Sequence, residues 1–513
     1  MRQRPLIFNE TAFLRGFSKV KRLRAVLLLS VAVAATMGAK GKAANEAIDK
    51  IFDGRVSATQ TVLVVRLSDG KTLYEKDPDV LLAPASVTKV VTAAAVLSRF
   101  TPVHTFKTPL FHTGARKNEK VLGDLIVVGD GDPYLVSEKL WQMAADLKNM
   151  GIREFTGDLI VDNTLFGDEG RDESRQAGLK SSTNAYDAPV SALGINFNTF
   201  AVAVAPADAA GKPALVSIDP YPLRGVIVDN DVKTSKGRGT KSLAVKRVSS
   251  GGKDGEKLVA SGTIATDLPI QKIYRSVGDY AHVSGEYVKA FLKQEGVIVR
   301  GVVKEGRRPA NATLLYEIES YDLRKIVAGL MNFSNNYVAD TLVKRLGAAY
   351  PKKGAPESPG SGTFANGMAA ITDFLRKDVG IKSDFTLNNG SGLDSDNRLS
   401  ARQITDVLAF MEHHMEVFPE FLGALPATGW DGTLKKRFGK AETESLKGLV
   451  RAKTGTLTEP VSVAGLAGYF RHPKHGLVAF AILENGKPNA DQPAITDLRD
   501  RQDKVVVAFM NEI

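Results

Sequence analysis

Ser86-Val87-Thr88-Lys89 places a hydroxyl and an amine three residues apart, one turn apart on the same face if the segment is helical. An amine at that distance can act as the base for a serine nucleophile once its pKa is lowered, and burial together with a second cation does that. A helix N-terminus would also bring backbone N–H groups to Ser86, where they can stabilise an oxyanion. The pattern by itself selects nothing, because Ser18/Lys21, Ser68/Lys71 and Ser250/Lys253 have the same spacing. What sets Ser86 apart is its company: Pro84-Ala85 before it, Ser334-Asn335-Asn336 downstream, and Lys453-Thr454-Gly455-Thr456 near the C-terminus. Taken singly, Ser334 also reads as a helix N-cap, and Lys453-Thr454-Gly455 as a strand end with a glycine. Together they supply a nucleophile, two lysines, a second hydroxyl and an amide, which is the equipment of serine acyl transfer.

These residues need elements to hold them. Thr61–Leu67 and Lys71–Tyr74 read as two strands joined by the turn Ser68-Asp69-Gly70. Val87–Leu97 is apolar and alanine-rich, which predicts a buried helix with Ser86 at its N-terminal edge. Helical patterns recur at Ala281–Gln294, Leu323–Met331, Asn335–Leu346, Gly367–Lys377 and Ala401–His414. Gly448–Lys453, Ala464–Phe470 and Gly476–Leu483 then read as antiparallel strands before a closing helix, Ala494–Met510. From 103 to 280 the pattern is mainly β, with strands such as Val121–Val128, Asp158–Asp162, Thr199–Ala205 and Leu243–Arg247 and one good helix, Ser137–Met150. Within it Asp229–Lys257, rich in Lys, Gly and Ser, reads as exposed loop or hairpin, and Pro351–Gly362 as a surface loop. The expected organisation is a segment 1–43 apart from the folded chain, a catalytic domain of 44–102 with 281–513, and a β-rich insertion over 103–280 made of two nested units.

The three motifs in this order are the Ser-x-x-Lys, Ser-x-Asn, Lys-Thr-Gly set of class A β-lactamases and penicillin-binding proteins. From about residue 44 to the C-terminus the chain resembles the low-molecular-mass class C penicillin-binding proteins, the D-alanyl-D-alanine carboxypeptidase/endopeptidases. Gly129–Pro133, Gly157–Asp162, Ala188–Leu193 and Asn196-Phe197-Asn198 resemble that family's inserted domains. Asn389–Leu393, Leu425-Pro426, Asp431–Leu434 and Ala452–Leu457 resemble its C-terminal half, and the long gap between Ser86 and Ser334 is characteristic of it. The resemblance implies an α/β (α+β) transpeptidase-like domain, with a central antiparallel sheet flanked by helices and two smaller, mainly β domains inserted after the Ser86 helix. It implies that Ser86 attacks the D-Ala-D-Ala carbonyl, that Lys89 takes its proton, and that Ser334 relays a proton to the leaving amine. Asn336 would bind the substrate backbone, and Lys453 would supply positive potential and tune Lys89. Thr454 and Thr456, either side of Gly455, would hold the terminal carboxylate, and the N–H groups of Ser86 and Thr456 would form the oxyanion hole. The implied partners are peptidoglycan peptides and, as covalent inhibitors, β-lactams; a homodimer is compatible with it.

The sequence departs from that family in three places. Ala177-Gly178-Leu179-Lys180-Ser181 lacks the Trp and Asp expected there; Asp394-Ser395 follows Gly-Ser-Gly-Leu where Ser-Arg is usual, with Arg398 the nearest arginine; and the loop Leu457–Gly465 is longer, with Glu459-Pro460. The first two positions read the side-chain end of the stem peptide in the family. A weak preference for a free diaminopimelate end therefore follows here, unless Asp394 and Arg398 stand in.

Composition narrows the rest. The chain has 513 residues and no cysteine, which excludes disulfides, Cys-ligated zinc and a Cys nucleophile. Its net charge of +11 is concentrated at the start: residues 1–43 carry nine basic residues against Glu10, leaving only +3 for the remainder. A body so near neutrality gives no reason to expect nucleic-acid binding. Within 1–43, a basic stretch to Arg24 precedes an uncharged apolar run, Ala25–Ala39, which reads as a signal-peptide core more readily than as a membrane span of about 20 residues, a buried helix or an uncleaved anchor being the alternatives. Export to the periplasm is the expectation. The seven histidines show no metal-ligand spacing, so neither metal nor cofactor is expected. Two other classes share these motifs: a catalytically idle peptidoglycan-binding protein, and a β-lactamase or esterase with fast deacylation.

Overall fold

The computed structural model describes residues 45–513 except 55, 168–169, 171–181, 238, 240, 251–254 and 351–357. The segment 1–43, Ala177–Ser181 and most of Pro351–Gly362 lie outside the described residues. Five antiparallel strands form the central sheet: β1 (Thr59–Arg66), β2 (Lys71–Lys76), β3 (Val450–Leu457), β4 (Val463–His472) and β5 (Gly476–Asn485). Their spatial order is β3-β4-β5-β1-β2, so the two ends of the chain are woven into one sheet and β3 lies at its edge.

Side chains of β5 alternate between two cores, which explains its unbroken apolar run. Val478, Phe480 and Ile482 pack with Ile48 and Phe52 of the helix 45–52 and with Val505, Val506 and Phe509 of the C-terminal helix α5 (Ile495–Glu512). Ala479, Ala481 and Leu483 face the opposite layer, which holds α1 (Thr88–Phe100), α2 (Leu323–Phe333), α3 (Asn336–Ala348) and α4 (Ala401–Glu412). In α1 every residue from Thr88 to Leu97 is buried, Lys89 among them. A capping box at Ser400/Gln403 starts α4.

The β-rich region leaves this body after α1. Its main sheet runs Val303–Glu305, Leu159–Asp162, Leu125–Val128, Thr105–His112, Thr313–Asp322. The entering strand Thr105–His112 pairs antiparallel with the returning strand Thr313–Asp322, so the insertion closes on its own entry point. Helices Ser137–Asn149 and Tyr280–Gln294 contribute Leu140, Met143, Val288 and Phe291 to the same core as this sheet, as do Val297 and Ile318. After Ile318 the chain returns to the first core at Leu323, and Phe106, Phe166, Ala188, Val190 and Ala192 of the inserted region pack against that core as well. Helix Tyr280–Gln294, expected within the catalytic domain, thus packs its apolar face in the core of the inserted region.

Of the two readings of Asp229–Lys257, the exposed loop needs correction, while the hairpin is met by the antiparallel pair Lys241–Ser250 and Glu256–Ala265. Val226–Ser235, Lys241–Ser250 and Glu256–Ala265 form a three-stranded sheet, the first pairing parallel and the second antiparallel with the third. Val232, Val245, Leu258 and Ala260 are buried while alternate residues face outward. The Lys- and Ser-rich composition belongs to the outer face of a half-buried sheet.

Candidate active site

Ser86 sits in a single 3-10 turn, Ala85–Val87, that continues directly into α1. Entering this turn puts Ala85 at φ 47°, a left-handed conformation that costs an L-residue about 1–2 kcal/mol. It persists because neighbours clamp it. Gly455 of β3 presses so closely that a Cβ there would lie 2.5 Å from the Pro84 carbonyl oxygen, and at Gly392 (φ +75°) one would lie 1.9 Å from that of Ala85. The glycines of Lys-Thr-Gly and Gly-Ser-Gly are thus spaces for the nucleophile turn.

Lys89 is fully buried beneath Ser86. Its Nζ donates to Ser86 Oγ at 2.9 Å, to Asn336 Oδ1 at 2.7 Å, and to the Ser391 carbonyl. Those are three acceptors, as many as an ammonium has N–H donors. Loss of one proton would leave a lone pair to turn toward Ser86 Oγ.

Lys453 is the second buried lysine. Its Nζ donates to Ser334 Oγ and to the Thr454 carbonyl, both at 2.8 Å. Burial pushes its pKa well below the usual lysine range, and the charge of Lys89 pushes the same way. Ser334 does not cap α3. It terminates α2 in the left-handed region (φ 54°), and Asn335 caps α3 through its side chain, which accepts from the Val338 N–H at 3.2 Å. The sharp reversal between two helices aims Ser334 at Lys453 and Asn336 at Lys89.

Two contributors were invisible in the sequence because they are main-chain groups. Asn336 Nδ2 donates to the Tyr186 carbonyl at 2.9 Å, so the inserted region orients the amide that touches Lys89. The Ser391 carbonyl is held by a loop that is bonded to itself: Asn389 Oδ1 accepts from the Gly392 N–H at 2.9 Å, and Asn397 Nδ2 donates to the Asn389 carbonyl at 3.1 Å. Asp394 is buried in this loop and accepts from Asn388 Nδ2 (2.7 Å) and the Asp396 N–H (2.8 Å), while Arg398 donates to the Ser395 and Asn397 carbonyls. Both side chains that might have stood in for a substrate-reading pair are occupied with their own loop.

Ser86 and Ser334 open into a cleft of about 700 Å³ whose wall carries Thr433, Thr454, Thr456, Lys436, Arg437, Lys440 and Arg499. Thr454 Oγ1 donates to Thr433 Oγ1 at 2.8 Å, and Thr456 Oγ1 donates to the Gly455 carbonyl at 2.8 Å. At the free edge of β3 the Ala452 N–H points outward to the Pro426 carbonyl. By the two-residue period of an unbroken ladder the Thr456 N–H points off the same edge, toward the cleft. Arg499 Nη2 donates to Thr456 Oγ1 at 2.9 Å; no motif marks this arginine. Of the other Ser-x-x-Lys pairs, Ser68 lies in the β1–β2 turn, and Ser18/Lys21 and Lys253 fall outside the described residues. Among the described residues no cluster of three or more His, Asp or Glu side chains could hold a metal, and no helix is long and apolar enough to cross a membrane.

A D-alanyl-D-alanine carboxypeptidase from Actinomadura sp. (strain R39) is 32% identical over 487 residues, 91% of this chain and 86% of that protein. The D-alanyl-D-alanine carboxypeptidase DacB of Haemophilus influenzae is 26% identical over 437 residues, 83% of this chain and 85% of that one. The crystal structure of penicillin-binding protein 4 (dacB) from the same organism superposes with a TM-score of 0.72 at 22% identity, covering 90% of this chain and 99% of the other, which shows the shared fold. The D-Ala-D-Ala carboxypeptidase 3 (S13) family model matches residues 44–506, and the chain belongs to that family.

Proposed function

We propose that this protein is an exported serine D-Ala-D-Ala carboxypeptidase that also opens D-Ala cross-links, working through an acyl-enzyme on Ser86. Neutral Lys89 takes the Ser86 proton as Oγ bonds to the carbonyl carbon of the penultimate D-Ala, and the N–H groups of Ser86 and Thr456 receive the oxyanion. The C–N bond then breaks, and the leaving amine takes a proton through Ser334 Oγ, 2.8 Å from Lys453 Nζ. Water adds to the ester, releasing a carboxylate and restoring the Ser86 hydroxyl. Asn336 binds the peptide backbone, and the Thr454 and Thr456 hydroxyls its terminal carboxylate. One observation carries this reading: Lys89 Nζ lies between Ser86 Oγ at 2.9 Å and Asn336 Oδ1 at 2.7 Å in a buried site. Solved relatives are described as a complex with a novel β-lactam and as a penicillin G-acylated endopeptidase, so covalent capture by β-lactams is part of the proposal. Export rests on the basic-then-apolar segment 1–43.

The test is labelled penicillin with an intact-mass readout. A persistent adduct that maps to Ser86 and vanishes in Ser86→Ala is expected. No adduct would favour an idle binding protein, rapid loss of the adduct a β-lactamase or esterase, and an adduct on Ser18, Ser68 or Ser250 would overturn the assignment.

A further inference from the structure

The cations along the cleft are not equivalent. Arg437 pairs with Asp503, and Lys440 with Asp500. Arg499 has no carboxylate oxygen within 4 Å among the described residues; its side chain contacts Thr456 instead, 2.9 Å from Oγ1. Thr456 gives its own proton to the Gly455 carbonyl at 2.8 Å, so its oxygen is the acceptor toward Arg499. A substrate carboxylate at Thr456 would turn that hydroxyl toward itself and come within reach of the guanidinium. Partial burial and the Arg437 charge both push the Arg499 pKa down, with Asp503 opposing them. Lys436 lines the same cleft; among the described residues it has no ion pair and no hydrogen bond to a motif residue.

We infer that Arg499, on helix α5 and outside all three motifs, anchors the carboxylate next to the scissile bond and sets the enzyme's requirement for a free carboxylate there. This rests on the proposed function, in which Thr456 borders the carboxylate subsite. The planar guanidinium suits a carboxylate held side-on, and two N–H donors can share its oxygens.

The experiment measures kcat/KM for a diacetyl-lysyl-D-Ala-D-Ala peptide with a free terminal carboxylate against its C-terminal amide. In parallel it measures acylation by penicillin G against penicillin G methyl ester. Arg499→Gln, Arg499→Lys and Lys436→Gln are compared with the native chain. Arg499→Gln should lower the free-to-blocked ratio by roughly ten- to hundredfold, the effect of one charge-assisted contact, through loss on the free substrate alone. Arg499→Lys should restore part of it, and Lys436→Gln should leave the ratio within about twofold, since it removes charge without removing the contact. The Arg437 bond to the Arg499 carbonyl (2.9 Å) involves only backbone at 499, so these variants keep it. Equal losses on free and blocked substrates would mean a structural role and overturn the inference. An equal drop of the ratio in Lys436→Gln would reduce it to general cleft potential and overturn it too. Failure of penicillin G to acylate the native protein at Ser86 would instead sink the functional reading itself.

Discussion

Gly455→Ala isolates the claim that β3 positions the nucleophile by contact. The added Cβ would lie 2.5 Å from the Pro84 carbonyl oxygen, 3.1 Å from the Val87 nitrogen and 3.2 Å from Ala85 Cβ, whereas ordinary contact begins at 3.4 Å. Strand and turn must therefore separate by about 0.9 Å. Neither side yields cheaply: β3 is laddered to β4 from Val450 to Leu457, and a Cβ on the neighbouring Gly465 would also meet the turn, at Val87 Cγ2 (2.7 Å). A misplacement near 1 Å in a catalytic constellation costs about 100-fold in rate, and overpacking of this kind costs about 1–3 kcal/mol of stability. The assay is the second-order rate of Ser86 acylation by labelled penicillin, with thermal unfolding measured in parallel. Gly423→Ala is the control, because that helical glycine has nothing within 4 Å of an added Cβ; it should be neutral or stabilising by about 0.5–1 kcal/mol. Acylation of Gly455→Ala within about threefold of native would refute the reasoning.

Three further outcomes follow from the same geometry. Ser334→Ala and Ser334→Gly both remove the hydroxyl beside Lys453 and should slow turnover alike, but the glycine variant should be more stable by about 1 kcal/mol, because position 334 has φ 54°; equal stability in urea unfolding would count against strain at that residue. Lys453, with its pKa depressed in the folded state, binds fewer protons folded than unfolded. Its contribution to stability should therefore rise with pH from the folded pKa up to the free-lysine value of about 10.4, by at most about 1.4 kcal/mol per pH unit. Lys453→Met should flatten that rise in unfolding curves from neutral to alkaline pH, and an unchanged slope would assign it to other groups. Stem peptides with a free diaminopimelate end should be cleaved no more than about tenfold better than end-blocked ones, and Arg398→Ala should not alter that ratio, since Arg398 is spent on the Ser395 and Asn397 carbonyls. A larger preference, abolished in Arg398→Ala, would show that this arginine leaves its loop to bind substrate.

What the sequence determined by itself was local chemistry and periodicity. Three short motifs were legible because each needs particular side chains: a hydroxyl and an amine one helical turn apart, a hydroxyl and an amide at the start of a helix, and a glycine in a strand. The unbroken run Val478–Leu483 read as a strand because it is buried on both faces. Tertiary structure alone decided what local pattern cannot encode. The carbonyls of Ser391 and Tyr186 that complete the Lys89–Asn336 network are groups every residue has, so no residue type announces them. Arg499 reaches Thr456 from 43 positions away in the chain because α5 packs against the sheet. Asp394 was a candidate for reading substrate until its burial and its bond to Asn388 showed it to be loop structure. The placement of helix Tyr280–Gln294 and the strands within Asp229–Lys257 were set by which faces find a partner core. Burial is a property of the assembled molecule, and the same amphipathic pattern serves any core that accepts it.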